Sequence, residues 1–387
     1  MKKVLFIHHG NLEGGAPLSM LYTMQGIREH GFEAEVAFIQ DLPTLHEFFS
    51  GHGFATHNVT GVPIFSTWAG SEGKWYNPIT WINVGKAAVN WSKGHKALQQ
   101  LLQKHTFDIV HLNSMTLSNP AAYLIKNQLP FAWHVREHGP SHKGLRYKNI
   151  SNRLSTAQEV IFLSKAEQNS WVGGSGHGTV VSNFVDMDVF DHTTSAPTAA
   201  VKRLLYVGGR KKHKGIIPLL HALAEIKAKS DVPFVCDMPD TYIDHDSSMT
   251  ELERHIIELI DRLDIGDVCN LLPFDPNIIK LYRTCDILLF PATKPHFARP
   301  IVEASAMGKP VIASNVKAVD ELVLEGKTGY LVPPNHHTAI ADKVVALFKD
   351  PDLCQNLGQE GITFVKDNFE MKGQIRKIVD IYRRLVD

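Results

Sequence analysis

The sequence predicts an α/β protein with two doubly wound parallel sheets, one in each half of the chain. Short apolar strands alternate with helical stretches throughout the 387 residues. Several strands are apolar without interruption, as in KVLFIHH at residues 3–9, which is typical of strands buried on both faces of a parallel sheet. Residues 190–202 are small and polar and indicate a linker between two domains. Together these observations predict domains at 1–190 and 200–369.

The first domain is predicted from its β-α-β order. After the first strand comes a glycine-rich turn, GNLEGGA, and then a helix that opens with Pro17 and stops at Gly31. Later strands are read at AEVAFIQ, FDIVHLNS, FAWHVRE and EVIFLS. Residues 61–95 interrupt this pattern with Trp68, Trp75, Trp81 and Trp91. We interpret them either as an irregular excursion or as a surface that touches an acceptor or a membrane.

The second domain repeats the alternation. Its strands are read at RLLYVGG, PFVCDM, CNLLPF, DILLFP, PVIAS and GYLVP, and its helices at 215–229, at 249–265 and near IVEASAMG. The C-terminal stretch GQIRKIVDIYRRLVD is predicted to be an amphipathic helix.

Composition excludes several functional classes. The chain has 40 basic and 40 acidic residues, so no global positive field indicates a nucleic-acid partner. The four cysteines lack C-x-x-C spacing and are expected to be reduced and buried. The first apolar run reaches His8 too soon for a signal peptide, and no run of 18 apolar residues occurs. We therefore expect a protein of the cytoplasm or of the inner face of the membrane.

The string HVREH at residues 134–138 fits the H-x-x-E-H pattern of inverted zinc proteases. On a helix its two histidines could share a metal, but the run is aromatic and β-branched and stops at Gly139-Pro140. On a strand, residues four apart are separated by about 13 Å, too far for one zinc ion. The string therefore predicts a strand, with His134 near its carboxyl end, where doubly wound sheets bind ligands.

Three motifs carry candidate chemistry. The turn GNLEGGAP could approach a phosphate at a helix N-terminus, or it could be a tight turn that needs glycine. The loop YVGGRKKHKG places Arg210, Lys211, Lys212 and Lys214 beyond a strand, which suits a diphosphate or, alternatively, a solvated surface. In residues 290–314, Glu303 is predicted on the first turn of a helix. There it could accept both ribose hydroxyls or complement the helix dipole.

Together these segments resemble the retaining GT-B glycosyltransferases of family four, the glycosyl transferases group 1. The likeness covers nearly the whole chain. It rests on GGAPLSML, on VSNFVD with Asn183 and Asp186, on VGGRKKHKG, and on LYRTCDILLFP followed by HFARPIVEASAMGKPVIASNVKAVDELVLEGKTGYLVP. The resemblance implies two Rossmann-like domains facing across a cleft, with the terminal helix, 370–387, packed back onto the first domain.

The resemblance also implies a donor site for a nucleotide-diphospho-sugar. Lys214 and Arg210 would neutralise the diphosphate, Glu303 would bind the ribose, and the backbone near Phe274 would face the base. Gly14 and Gly15 would approach the diphosphate from the first domain, and His134 would line the sugar site. The loop that contacts sugar and phosphates would consist of His296, Phe297, Ala298, Arg299, Pro300 and Ile301. Catalysis would rest on His134, Arg210 and Lys214, with no metal and no further cofactor.

One position departs from the family pattern. The E-x7-E motif has a glutamate eight residues before the second one, and Pro295 stands there, next to His296. His296 or Lys294 is a candidate substitute. The implied function is a hexosyltransferase-type enzyme that acts with retention on a glycan, glycolipid or small-molecule acceptor. The alternatives are a GT-B relative with another reaction, such as an epimerase, and a binding protein without catalysis.

Overall fold

The computed structural model describes residues 1–10, 15–59, 96–140, 144–173, 176–194, 200–243, 249–275 and 277–387. Gly14 and the tryptophan-rich segment 61–95 lie outside the described residues. The chain forms two compact units, Met1–Asn183 with Lys372–Asp387, and Phe184–Met371. The boundary therefore falls a few residues before the linker that the composition indicated.

Unit 1 contains a parallel sheet in the order β3-β2-β1-β4-β5-β6-β7. The strands in the middle of this sheet are covered on both faces, so their residues are apolar without interruption, as in VLFI of β1. The strands are β1 Lys2–His8, β2 Phe32–Phe38, β3 Ala55–Asn58, β4 Ile109–Leu112, β5 Phe131–Val135, β6 Glu159–Phe162 and β7 Thr179–Val180. β4 pairs with β1, so the strand order reverses between them, and ligand sites of doubly wound sheets occur at such a point.

The helices of unit 1 connect consecutive strands of this sheet. They are α1 Gly15–Arg28, α2 Pro43–Gly51, α3 at residues 96–104, α4 Ser118–Lys126, α5 Leu145–Thr156 and α6 Lys165–Val172. α1 starts two residues before Pro17, which thus occupies its first turn. Apolar side chains of α3, α4, α5 and α6 and of β1, β4, β5 and β6 form one core that includes the buried Trp133 and Trp171.

Unit 2 contains a second parallel sheet, in the order β10-β9-β8-β11-β12-β13. Its strands are β8 Lys202–Leu205, β9 Phe234–Met238, β10 Cys269–Leu271, β11 Ile287–Phe290, β12 Val311–Ser314 and β13 Gly329–Val332. Its helices are α7 Ile216–Lys229, α8 Glu251–Arg262, α9 Ile279–Thr284, α10 Arg299–Ala306, α11 His337–Lys349 and α12 Pro351–Asn368. The two doubly wound parallel sheets confirm the predicted fold class. All four cysteines are unpaired; Cys236 and Cys285 are buried as predicted, whereas Cys269 and Cys354 are only half-buried.

The last helix, α13 Met371–Val386, contributes residues to unit 1. The Tyr382 hydroxyl lies 2.7 Å from His111 Nδ1, and both side chains are fully buried. Gly26 of α1 makes room for this helix, because a Cβ there would come within 2.7 Å of Ile375 Cγ1. In the described part of the chain, no helix is long and apolar enough to cross a bilayer.

Candidate active site

A polar cluster occupies the carboxyl ends of the central strands of unit 1. Arg136, just after β5, organises it: its Nε donates to Asn113 Oδ1 at 2.7 Å and its Nη1 donates to Asn183 Oδ1 at 2.9 Å. Asn113 Nδ2 lies 3.2 Å from Nδ1 of His8, the last residue of β1. One guanidinium therefore connects residues that follow β4, β5 and β7. Arg136 was not among the site residues predicted from the sequence.

His134 belongs to this cluster. It is the fourth residue of β5, with 3% of its surface exposed. Arg136 Nη2 lies 3.4 Å from His134 Nδ1. Because arginine can only donate, Nδ1 is the acceptor and Nε2 carries the proton. Nε2 is buried and has no hydrogen-bond partner among the described residues. Burial and then the Arg136 charge hold the pKa of His134 well below its usual range, so the imidazole is neutral.

The zinc-protease interpretation of HVREH is excluded by this arrangement. His134 lies within a strand and His138 beyond its end. Glu137 accepts hydrogen bonds from the backbone N–H groups of Met115 at 2.9 Å and Arg136 at 3.0 Å, and also from the Ser114 hydroxyl. Glu137 therefore fixes the turn that follows β4.

Gly15 is the one described member of the glycine pair predicted to approach a diphosphate. It is the first residue of α1 and is exposed. Its position at a helix N-terminus is compatible with the prediction, which stays a prediction. Gly14 precedes it, outside the described residues.

In unit 2 the predicted phosphate loop lies between β8 and α7. Its last turn is a short 3-10 helix, Lys212–Lys214, followed by Gly215 with φ 86°. A Cβ on Gly215 would lie 1.8 Å from the carbonyl oxygen of Pro291. Glycine at this position therefore lets the N-terminus of α7 sit directly against the end of β11. The N–H groups and dipole of that helix favour an anion there.

Lys214 lies at this helix start. Burial, and then the charge of Lys211, lower its pKa to about 8. His296 is close enough for the Lys214 charge to act on it, and burial with that charge lowers the pKa of His296 to about 3. His296 Nδ1 donates to the Lys294 carbonyl at 2.9 Å, so its buried Nε2 is an acceptor. That Nε2 has no hydrogen-bond partner within the described part of the chain.

Arg210, unlike Lys214, forms an ion pair with a carboxylate of α8. Its Nη1 lies 2.7 Å from Glu253 Oε1 and donates to the Tyr242 carbonyl at 3.0 Å. The Glu253 carboxylate therefore neutralises the Arg210 charge. For Lys214, by contrast, the charged residue with the largest effect on the pKa is another lysine, Lys211.

The predicted position of Glu303 on the first turn of its helix is wrong. α10 begins at Arg299, so Glu303 is its fifth residue and lies beyond the first turn. The interpretation as a dipole-complementing charge at the helix start is wrong for the same reason. Its carboxylate is 6% exposed and accepts from the Tyr282 hydroxyl at 2.8 Å, while its other oxygen lies 2.6 Å from Arg299 Nε. The carboxylate is thus held in a fixed orientation at the base of the 296–301 loop.

The loop predicted to contact sugar and phosphates runs from His296 into α10. Ala298 and Ile301 are fully buried in the core of unit 2, so a ligand could meet only their backbone. The Phe297 ring lies 6.3 Å from Phe369, again within unit 2. Arg299 and Pro300 form the first turn of α10, which leaves His296 as the loop's polar side chain with an available acceptor.

Phe274, predicted to mark the base-binding backbone, is 73% exposed after β10. The preceding residue, Pro273, lines a cavity of about 370 Å³ together with Asp237 and Asn270. Lys214 and Glu303 are not part of its lining, so this cavity does not by itself unite the predicted donor residues.

Comparison with known proteins finds a family match over part of the chain. The model of the family "Glycosyl transferases group 1" matches residues 195–364, which include Lys214, His296 and Glu303. N-acetyl-alpha-D-glucosaminyl L-malate synthase of Bacillus anthracis is 26% identical over 211 residues, 52% of each protein. An uncharacterized glycosyltransferase of Methanocaldococcus jannaschii is 22% identical over 76% of this chain and 80% of its own. The match to the Bacillus protein thus spans about half of that relative's length.

Solved structures agree in fold over the full chain. A glycosyltransferase from Rickettsia africae superimposes with a TM-score of 0.80 at 21% identity, over 100% of this chain and 99% of its own. Anabaena HepE, in complex with UDP and glucose, gives a TM-score of 0.76 at 19% identity over 98% and 99%. The match to this family therefore covers residues 195–364, less than half of the chain, and over its full length the chain has the GT-B fold of these structures.

Proposed function

We propose that this protein is a retaining glycosyltransferase that moves a sugar from a nucleotide-diphospho-sugar to an acceptor hydroxyl in glycan, glycolipid or polysaccharide biosynthesis. The observation that carries the proposal is Lys214, a half-buried lysine at the N-terminus of α7 whose strongest charged neighbour is another cation. A largely desolvated cation that forms no ion pair with the described residues is unfavourable unless an anion completes the site. A diphosphate supplies that anion.

The chemistry needs positioning and charge stabilisation from the protein. The acceptor oxygen bonds to the anomeric carbon as the bond from that carbon to the diphosphate breaks, and the acceptor proton passes to the departing phosphate oxygen. Negative charge then grows on the leaving group, where Lys214 and the α7 N-terminus stabilise it. Arg210 can contribute if it shares its charge between Glu253 and the phosphate. No metal is required for these steps.

One histidine in each unit has a buried Nε2 without a hydrogen-bond partner among the described residues. The His134 Nε2–H is a donor in unit 1, and His296 Nε2 is an acceptor in unit 2. The family pattern has a carboxylate, an acceptor, where Pro295 stands in this chain. We propose that the adjacent His296 takes over that acceptor role toward a sugar hydroxyl.

A donor panel tests the proposed function. Purified protein is incubated with UDP-, GDP- and ADP-sugars, and nucleoside diphosphate release is measured beside the melting temperature. We expect one donor class to be turned over, and Lys214→Ala to lower turnover by about 10²–10³-fold, the usual loss when a charge-stabilising group is removed. The exposed Lys366→Ala, on α12, is the control and should retain most activity. Undiminished turnover by Lys214→Ala would count against the assignment.

The second candidate function is nucleotide-sugar binding without catalysis, which Pro295 prompts. In that case a donor raises the melting temperature but no diphosphate is released with any acceptor mixture. Substituting Pro295→Glu discriminates further, since a binding protein that lacks only this carboxylate should gain turnover.

The acceptor is proposed to be a glycan, a glycolipid or a small molecule, recognised by unit 1. Two solved relatives support a nucleotide and a sugar-bearing acceptor: HepE was solved with UDP and glucose, and a TarM variant with UDP and alpha-GlcNAc-glycerol. Contact with a membrane surface is part of the proposal for a glycolipid acceptor.

A further inference from the structure

We propose that Glu35, His57 and His105 form a binding site for a divalent transition-metal ion such as zinc. The three residues lie at the β3 edge of the unit 1 sheet: Glu35 on β2, His57 on β3 and His105 directly after α3. One carboxylate oxygen and one nitrogen of each ring all lie within 4.8 Å of one another.

Strand register brings the first two together. Glu35 pairs with Ala55, and His57 pairs with Ala37, two residues further along both strands. Side chains of residues two apart share a face, so Glu35 and His57 point to the same side of the sheet. His57 Nε2 lies 2.6 Å from Glu35 Oε2.

Ring packing fixes the third ligand. The His105 ring centroid lies 4.8 Å from that of His57, and both rings contact Phe107, at 6.0 and 6.3 Å. The backbone N–H of His105 donates to the carbonyl oxygen of Leu101, which lies in the last turn of α3. The three donors are therefore held on separate elements but directed at one point.

The donor set suits zinc chemistry. Two imidazole nitrogens and one carboxylate oxygen, with water at the fourth position, are ligands that zinc accepts at about 2.0–2.2 Å. Two such ligands lie about 3.3 Å apart around a tetrahedral ion. The separations in the structure, from 2.6 Å up to 4.8 Å, require side-chain adjustments of about 1.5 Å or less. The ion would replace the proton shared by His57 and Glu35.

Lys3 completes the surroundings of the site. Its Nζ lies 2.9 Å from Glu35 Oε1, which orients the carboxylate and leaves Oε2 toward the histidines. Its positive charge also opposes a bound cation, so we expect a dissociation constant on the order of micromolar. The side chains of His57 and Glu35 are 15% and 14% exposed, so an ion can reach them from solvent.

The site is distinct from the proposed sugar-transfer residues. Three strand intervals separate β2 from β5, which carries His134, a distance of about 14 Å at the usual strand spacing. A bound ion would instead join β2, β3 and the end of α3. We infer that it braces this edge of the sheet, since a ligand that binds only the folded state stabilises it.

Zinc titration of the metal-free protein tests the proposal. In competition with a chromophoric chelator, wild type is expected to bind one zinc ion per chain more tightly than its remaining histidines do. His57→Ala and His105→Ala should each weaken this site by about 100-fold, which corresponds to about 2.7 kcal/mol. His30→Ala, an exposed histidine just after α1, is the control and should leave binding unchanged. Cobalt(II) should give visible absorption bands in wild type that are absent in His57→Ala.

Two outcomes overturn the proposal: no stoichiometric binding at 100-fold excess of zinc over the expected dissociation constant, or binding that survives both histidine substitutions. Glu35→Gln is a milder third variant, because the amide keeps the size of the side chain but is a poor zinc ligand. The far-UV circular dichroism spectrum of every variant without zinc reports whether it is folded. A wild-type spectrum with lost zinc binding supports the site independently of the proposed function.

Discussion

Lys214 should make nucleotide binding depend on pH. Burial and Lys211 lower its pKa to about 8 from the usual 10.5, so the free protein loses this charge as the pH rises through 8. A bound diphosphate favours the charged ammonium and raises the pKa of the complex again. The protonated lysine is the form that binds, so affinity is complete below pH 8 and decreases above it.

The size of the effect follows from the two pKa values. If the diphosphate restores the pKa to 10.5, each pH unit between 8 and 10.5 weakens binding tenfold, or by about 1.4 kcal/mol. From pH 7 to pH 9.5 the dissociation constant of the nucleoside diphosphate, UDP or whichever the donor panel selects, should therefore rise by about 30-fold, about 2 kcal/mol.

Isothermal titration with UDP between pH 7 and 9.5 measures this change. Lys214→Arg is the matched control, because a guanidinium stays charged throughout this range. We expect the nucleotide affinity of Lys214→Arg to change by less than about 3-fold over this pH range. This smaller change comes from the exposed lysines, which both proteins have in common. Lys214→Met, which cannot titrate, should bind weakly and without this pH dependence. Parallel losses of affinity in wild type and Lys214→Arg would refute the reasoning.

Three further substitutions test separate features. Tyr382→Phe removes the partner of the buried His111 Nδ1 and should lower the free energy of unfolding of unit 1 by about 1–3 kcal/mol in a denaturant melt. A loss below about 0.5 kcal/mol would contradict this role. Gly215→Ala should abolish nucleoside diphosphate binding and lower the melting temperature, because the added Cβ meets a backbone carbonyl. Gly31→Ala, at a similar φ but in open space, is its control and should lower the free energy of unfolding by only about 1 kcal/mol. His134→Ala should lower kcat by about 100-fold with little change in UDP affinity, and the reverse pattern would exclude it from the sugar site.

Strand β5 shows what local sequence could predict. Its aromatic and β-branched residues, bounded by Pro130 and Gly139, are compatible with a strand, and the structure has one at Phe131–Val135. This was enough to reject a shared metal at His134 and His138, because the argument needed conformation alone and no long-range contact.

The start of α10 shows where a local pattern placed the beginning of a helix about two residues too late. Pro300 lacks an N–H and suits the first helical turn, where that N–H would be unsatisfied. The helix therefore begins at Arg299, and Glu303 becomes a buried acceptor for Tyr282. The burial of that pair depends on α9 packing nearby, which no local spacing reveals.

Contacts across the sheets could not be predicted from the sequence. The Arg136 network requires that β4 lies between β1 and β5, and the pairing of Glu35 with His57 requires the β2–β3 register. Both are consequences of strand order. Residues 35, 57 and 105 are too far apart in sequence to form a recognisable metal motif.

The division of unit 1 between two parts of the chain affects its synthesis. Unit 2 is one continuous stretch, Phe184–Met371, and all its residues leave the ribosome before residues 372–387 do. His111 and Gly26 lie in the first part of unit 1, and their partners Tyr382 and Ile375 are synthesised last. Unit 1 is therefore begun before unit 2 but completed after it. Domains generally fold as units during translation, and here unit 1 lacks the contacts of α13 until residues 372–387 emerge.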